Sequence, residues 1–128
     1  MIDREMCRWD EADRLRRGQV VRLWLDDVRE PPSEGWVWCR MAWQARYLLS
    51  GQPRQGYVVV EVSLDHDLGP GQSGYDVATY LEEAVMGERL PVPDVMACHS
   101  SNPVGRQRIE QVLAGIRRRV SQGGASHG

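Results

Sequence analysis

The sequence predicts a small α/β domain built on a mostly parallel sheet of about four strands flanked by helices. Three observations predict it. Short apolar runs alternate with segments of helical period, in the order strand, strand, helix, strand, helix, strand, helix. The run Val58 to Leu64 is dominated by Val, as in a strand buried on both faces of a parallel sheet. Three of the strands end in polar residues although the rest of each is apolar, which places a ligand crevice at the strand carboxyl ends.

The first strand is Val20 to Leu25, and it stops at Asp26-Asp27. Pro31-Pro32 and Gly35 then break any regular element. Trp36 to Arg40 reads as a second short strand. Met41 to Ser50 follows as a helix that buries Ala42, Ala45, Leu48 and Leu49 and is stopped by Gly51. The third strand, Val58 to Leu64, ends at Asp65-His66-Asp67, with a flexible loop from Gly69 to Gly74 over its end. A helix from Tyr75 to Met86 places Val77, Tyr80, Leu81, Ala84 and Val85 on one stripe. Val95 to Cys98 is the fourth strand, ending at His99-Ser100-Ser101-Asn102. Asn102 suits an N-cap and Pro103 the first helical position of the last helix. Its residues Val104, Ile109, Val112, Leu113, Ile116 and Val120 are expected to face inward. Arg117 to Arg119 are expected in its last turn, where the helix dipole favours cations.

A chain of 128 residues has room for one domain. That domain is assigned to residues 19–120, with a charged arm or short helix over 1–18 and a disordered tail over 121–128. The formal net charge of −2 argues against a dedicated nucleic-acid coat and leaves room only for a local basic site; DNA is not expected as a partner. All 16 basic residues are Arg, so no role that needs an ammonium side chain has a candidate. Cys7, Cys39 and Cys98 are odd in number and lack metal-ligand spacing, which fits small buried hydrophobes in a reducing, cytoplasmic setting. No apolar run reaches the roughly 18 residues of a membrane span, and the amino terminus is too charged for a signal peptide.

Asp26, Asp27 and Asp65 form a constellation of carboxylates, with Asp67 as a fourth candidate. Like charges brought that close repel, so either some are protonated or a divalent cation sits among them. Hard oxygen ligands suit Mg²⁺ or Mn²⁺. The alternative is a set of solvated loop-end acids without a metal. Facing them, Ser100, Ser101 and the free N–H groups of a helix amino terminus favour an anion, Gly105 lets backbone approach, and Arg106 can add a bidentate contact. The alternative there is that Ser101 and Asn102 cap the helix and Arg106 is solvated. Trp24, Trp36, Trp38 and Trp43 suit either a core or a base-stacking surface.

Leu25-Asp26-Asp27-Val28-Arg29 with Pro31-Pro32, Ser63-Leu64-Asp65-His66-Asp67-Leu68-Gly69, Gly74-Tyr75-Asp76-Val77-Ala78, and His99-Ser100-Ser101-Asn102-Pro103-Val104-Gly105-Arg106 occur in that order. Together they resemble the cyclic-phosphate-processing receiver-like domain family, over roughly Val20 to Val120. The resemblance implies a receiver-like, flavodoxin-like Rossmannoid fold and a role in processing cyclic phosphates, in settings linked to RNA end repair and nucleotide metabolism. It implies Asp26 and Asp27 as metal ligands, Asp65 as phosphoryl acceptor or third ligand, and Ser100 as the hydroxyl that contacts a phosphoryl group. The chain departs from signalling receivers in three ways. It has no lysine and no evident fifth strand, the helix after the first strand is replaced by the Pro-Pro loop, and His66 and His99 are added.

These residues lead to the expectation of a metal-dependent phosphodiesterase that opens a cyclic phosphate on a nucleotide, an ADP-ribose derivative or an RNA end. Asp26, Asp27 and Asp65 would hold the cation, and Arg29, Ser100, Ser101, Asn102 and Arg106 the phosphate side. His99 or His66 would protonate the leaving alkoxide. Two other readings stay open. Asp65-His66-Asp67 is similar to the first motif of haloacid-dehalogenase-like phosphatases, with Asp65 as nucleophile and Asp67 as acid and base. A divergent receiver that binds a phosphorylated or cyclic nucleotide, or a protein partner, without turnover is the third.

Overall fold

The computed structural model describes residues 18–127, with side chains through Ser121; the expected arm lies outside the described residues apart from Gly18. Among the described residues the order is β1 (Val20–Leu25), β2 (Trp36–Cys39), α1 (Ala42–Ser50), β3 (Val58–Leu64), α2 (Gly74–Met86), β4 (Val95–Cys98) and α3 (Pro103–His127). All pairings are parallel, and the sheet order is β2-β1-β3-β4. The chain leaves β1 for β2 and crosses back over it to β3, so the strand order switches between the carboxyl ends of β1 and β3. A crevice opens at such a switch point.

Strand alternation separates two faces. Val21, Leu23 and Leu25 of β1, Val62 and Leu64 of β3, and Met96 and Cys98 of β4 form one core with Ala45, Leu48 and Leu49 of α1, Leu81 of α2 and Ile109, Leu113 and Ile116 of α3. The opposite face carries Arg22 and Trp24 beside their register partners Trp36 and Trp38, and Glu61 and Ser63. Arg22 stacks over Trp36 at 4.2 Å and pairs with Glu61 at 2.8 Å. Trp24 is buried and meets Trp36 edge-on, whereas Trp36, Trp38 and Trp43 are half-buried.

Several expectations change in detail. The helix stop at Gly51 holds, but its φ of −75° is ordinary, so no left-handed cap is involved. Glycine is needed there because a Cβ would lie 2.2 Å from the Tyr57 hydroxyl, which donates to the Leu48 carbonyl. Ala42, Ala45, Leu48 and Leu49 are buried as expected, whereas Tyr80 and Val85 are only partly so. On α3, Ile109, Leu113 and Ile116 face inward and Val112 packs against them, but Val104 is 68% and Val120 41% exposed. Val104 lies on the outer side of the first turn, five residues from Ile109 and hence more than a quarter turn off the stripe. The helix continues to His127, through the stretch expected as a tail, so Arg117 to Arg119 are interior to it. Arg117 reaches sideways instead and donates to the Met96 carbonyl of β4. Cys39 and Cys98 are free and buried, as expected of small hydrophobes. No described helix is long and apolar enough to cross a membrane.

Candidate metal centre

The ladder does not stop where the strands do. Asp26 N–H donates to the Cys39 carbonyl at 3.0 Å, Asp65 N–H to Leu25 at 2.9 Å and His99 N–H to Leu64 at 3.0 Å. Register pairs Leu25 with both Cys39 and Leu64, and Leu64 with Cys98, so Asp26, Asp65 and His99 emerge side by side. Ligand oxygens of Asp26, Asp27 and Asp65 lie within 4.8 Å of one another. They open into a crevice of about 330 Å³ that is also lined by Val28, Arg29, Asp67, Gly69 and Ser101. A larger groove of about 590 Å³ around Pro53, Arg89 and Leu90 lies away from these carboxylates.

Each carboxylate is held differently. Asp26 is 2% exposed; its Oδ1 accepts the N–H groups of Val28 and Arg29 at 2.9 and 2.7 Å, and its Oδ2 faces His99 Nε2 at 3.0 Å. Asp65 Oδ1 accepts the His66 N–H at 2.9 Å, and the buried Ser100 hydroxyl bonds the same carboxyl. Burial, and secondly the charge of Asp26, push the Asp65 carboxyl above its ordinary range. Asp67 is exposed and held below its usual value chiefly by its hydrogen bond with His66 Nδ1, at 2.9 Å. Three hard oxygen donors at this spacing fit a divalent cation such as Mg²⁺ or Mn²⁺.

The remaining expected residues divide. Arg29 and Ser101 line the crevice; the Arg29 Nη1 donates to the His99 carbonyl at 3.4 Å. Ser100 points back to Asp65 and accepts the Asn102 N–H at 3.1 Å. Asn102 caps α3 through Gly105 N–H at 3.0 Å, and its amide nitrogen approaches both Asp67 oxygens at 3.4 Å. Arg106 pairs with Glu110 at 3.0 Å along its own helix. Gly105 makes room for a ring, because a Cβ there would lie 2.2 Å from His66 Cγ. His99 is stacked on Trp24, its Nδ1 is 2.8 Å from the Ser63 hydroxyl, and burial holds its pKa below the usual value.

Three contributors were not anticipated. Ser63 is the one hydroxyl in an otherwise apolar strand end, and that oddity was its available signal. Trp24 follows from register, and Gly74 from a close approach: a Cβ would lie 1.8 Å from the Asp65 carbonyl.

With this geometry in place, comparison with family models decides the relationship. The model described as "Cyclic-phosphate processing Receiver domain" matches residues 21–115, which include the sheet from Val21 onward and every residue of the crevice. The chain belongs to that family. Comparison with curated proteins and with solved structures finds no match. This cyclic-phosphate processing receiver domain carries paired acids after β1 and an acid after β3, and its sequence has no lysine.

Proposed function

We propose that this receiver domain is a metal-dependent phosphoesterase that opens cyclic phosphates carried on a nucleotide, an ADP-ribose derivative or an RNA end. The observation that carries the reading is the convergence of Asp26, Asp27 and Asp65 within 4.8 Å, in one crevice with Arg29 and Ser101. Asp26, Asp27 and Asp65 would hold Mg²⁺ or Mn²⁺, which when bound lowers the pKa of water and polarises a phosphoryl oxygen. Arg29 offers donors in a fork that matches phosphate, and Ser101 a hydroxyl. The Asp67–His66 pair would supply the proton for the departing alkoxide: Asp67 lines the crevice and orients Nδ1 of His66. Ser100 and Asn102 support Asp65 and Asp67 rather than the phosphate. Arg106 would have to leave Glu110 to take part.

The test is hydrolysis of nucleoside 2′,3′-cyclic phosphates, an ADP-ribose cyclic phosphate and an RNA with a cyclic phosphate end, each with Mg²⁺, Mn²⁺ or chelator. The expected result is metal-dependent opening of one substrate class, reduced at least a hundredfold in Asp65→Asn. A phospho-aspartate trapped on Asp65 would replace direct hydrolysis with the covalent route. Tight binding without turnover by the wild type would leave a non-catalytic receiver.

A further inference from the structure

Asp26 is buried, and the lone pairs of its carboxylate can be counted. Each oxygen offers two. Oδ1 accepts two backbone N–H groups, from Val28 at 2.9 Å and Arg29 at 2.7 Å, so it is filled. Oδ2 has one contact, with His99 Nε2 at 3.0 Å. One lone pair is left, and it belongs to Oδ2. Any cation that Asp26 holds directly therefore shares that oxygen with His99.

His99 has little freedom of its own. Its ring lies flat on Trp24, with centroids 3.8 Å apart and planes 4° from parallel. Trp24 is in turn anchored by its indole N–H to the Arg29 carbonyl at 2.9 Å. Nδ1 meets the hydroxyl of Ser63, itself buried, at 2.8 Å. A carboxylate oxygen accepts, so Nε2 is the donor in the contact with Asp26, and Nδ1 is left to the Ser63 hydroxyl. Both nitrogens are thus committed to the protein, and neither lines the crevice.

We propose that His99 is a positioning residue and not the proton donor: fixed by Ser63 and Trp24, its Nε2–H sets Asp26 Oδ2 as the one oxygen through which that carboxylate reaches a divalent cation. Ser63 and Trp24 act through it. The inference rests on the metal-site reading of the same crevice. Outer groups that orient a ligand typically change metal affinity 10- to 100-fold when removed.

The test uses the full chain and Mn²⁺ as probe, with affinity read by calorimetry or by electron paramagnetic resonance of free Mn²⁺. His99→Phe keeps a flat ring for Trp24 and removes the donor, whereas His99→Gln keeps an N–H near the position of Nε2. The expected result is that wild type and His99→Gln bind within about threefold of each other and that folded His99→Phe binds at least tenfold more weakly. Ser63→Ala leaves the ring but frees it to turn, and it should weaken binding severalfold, which keeps the idea testable if His99→Phe does not fold. ¹⁵N shifts of the imidazole in the metal-free protein should show the proton on Nε2. Wild-type affinity in folded His99→Phe, equal losses in the Gln and Phe variants, or a proton on Nδ1 would each overturn the assignment. Absence of Mn²⁺ binding by the wild type would instead overturn the metal-site reading beneath it.

Discussion

Burial, and secondly the charge of Asp26, disfavour the ionised form of Asp65, and pH exposes the consequence. Its pKa is raised in the fold, so the folded state holds the proton more tightly than the unfolded chain does. Stability attributable to this group is therefore greatest below the unfolded value of 3.8 and falls as pH rises through the folded value. Without divalent cations, Asp65→Asn should melt above the wild type at pH 7, and the gap should close as the pH is lowered. Thermal melts across that range decide it; a gap that ignores pH removes the explanation. Gly105 supplies a second test at this scale. Gly105→Ala pushes a methyl into the His66 ring and should cost about 1–3 kcal/mol in urea unfolding. In a His66→Ala background the ring is gone. There the same change should be neutral, or stabilising by up to about 1 kcal/mol from helix propensity. Equal costs in both backgrounds would mean that the ring is not what Gly105 accommodates.

At the scale of elements, the amino terminus of α3 joins packing to the site. Asn102 caps the helix through Gly105 N–H and at the same time approaches Asp67. Asn102→Ala should cost about 1 kcal/mol in urea unfolding, as loss of such a cap does. Asn102→Asp should recover most of the capping while placing a second negative charge beside Asp67. If the alanine variant unfolds like the wild type, the cap is not contributing. α2 starts against the site as well: Gly74 N–H donates to the His66 carbonyl at 2.9 Å, and Gly74 leaves no room for a Cβ beneath Asp65. These two helix starts brace the turn after β3 from both sides, which is why its acids keep their places.

For the whole molecule, a cation bound among the three acids would also be a stabiliser, because it would join the carboxyl ends of β1 and β3. Linkage to a ligand at a hundredfold excess over its Kd adds about 2.7 kcal/mol, or roughly 10 °C for a domain of this size. Mn²⁺ or Mg²⁺ should therefore raise the Tm of the wild type in a concentration-dependent way, and Asp26→Asn should abolish most of the shift. An equal shift in both proteins would place the ion elsewhere. The sheet also explains how a chain without a helix between β1 and β2 remains ordered. The loop that replaces it is tied down by Asp26, which binds the Val28 and Arg29 N–H groups, and by Trp24, which binds the Arg29 carbonyl.

The order of strands and helices was legible in the amino-acid sequence, because burial imposes a period of two on strands and 3.6 on helices whatever the neighbours are. The acids at the ends of β1 and β3 were legible too, since charges that interrupt a Val-rich run stand out. The cap at Asn102 was readable from local chemistry alone. What the sequence could not carry were directions across the sheet. That His99 lies on Trp24 and bonds both Ser63 and Asp26 depends on the register of β1, β3 and β4, which brings together residues 36 to 75 positions apart. That Ser100 turns to Asp65 and Arg106 to Glu110 was decided by which partner lay within reach once the helices had packed. Gly51 read as a helix stop, Gly74 as part of a loop and Gly105 as room for an approaching backbone, and only tertiary approach showed that a hydroxyl, a carbonyl and a ring occupy the space that their missing side chains leave.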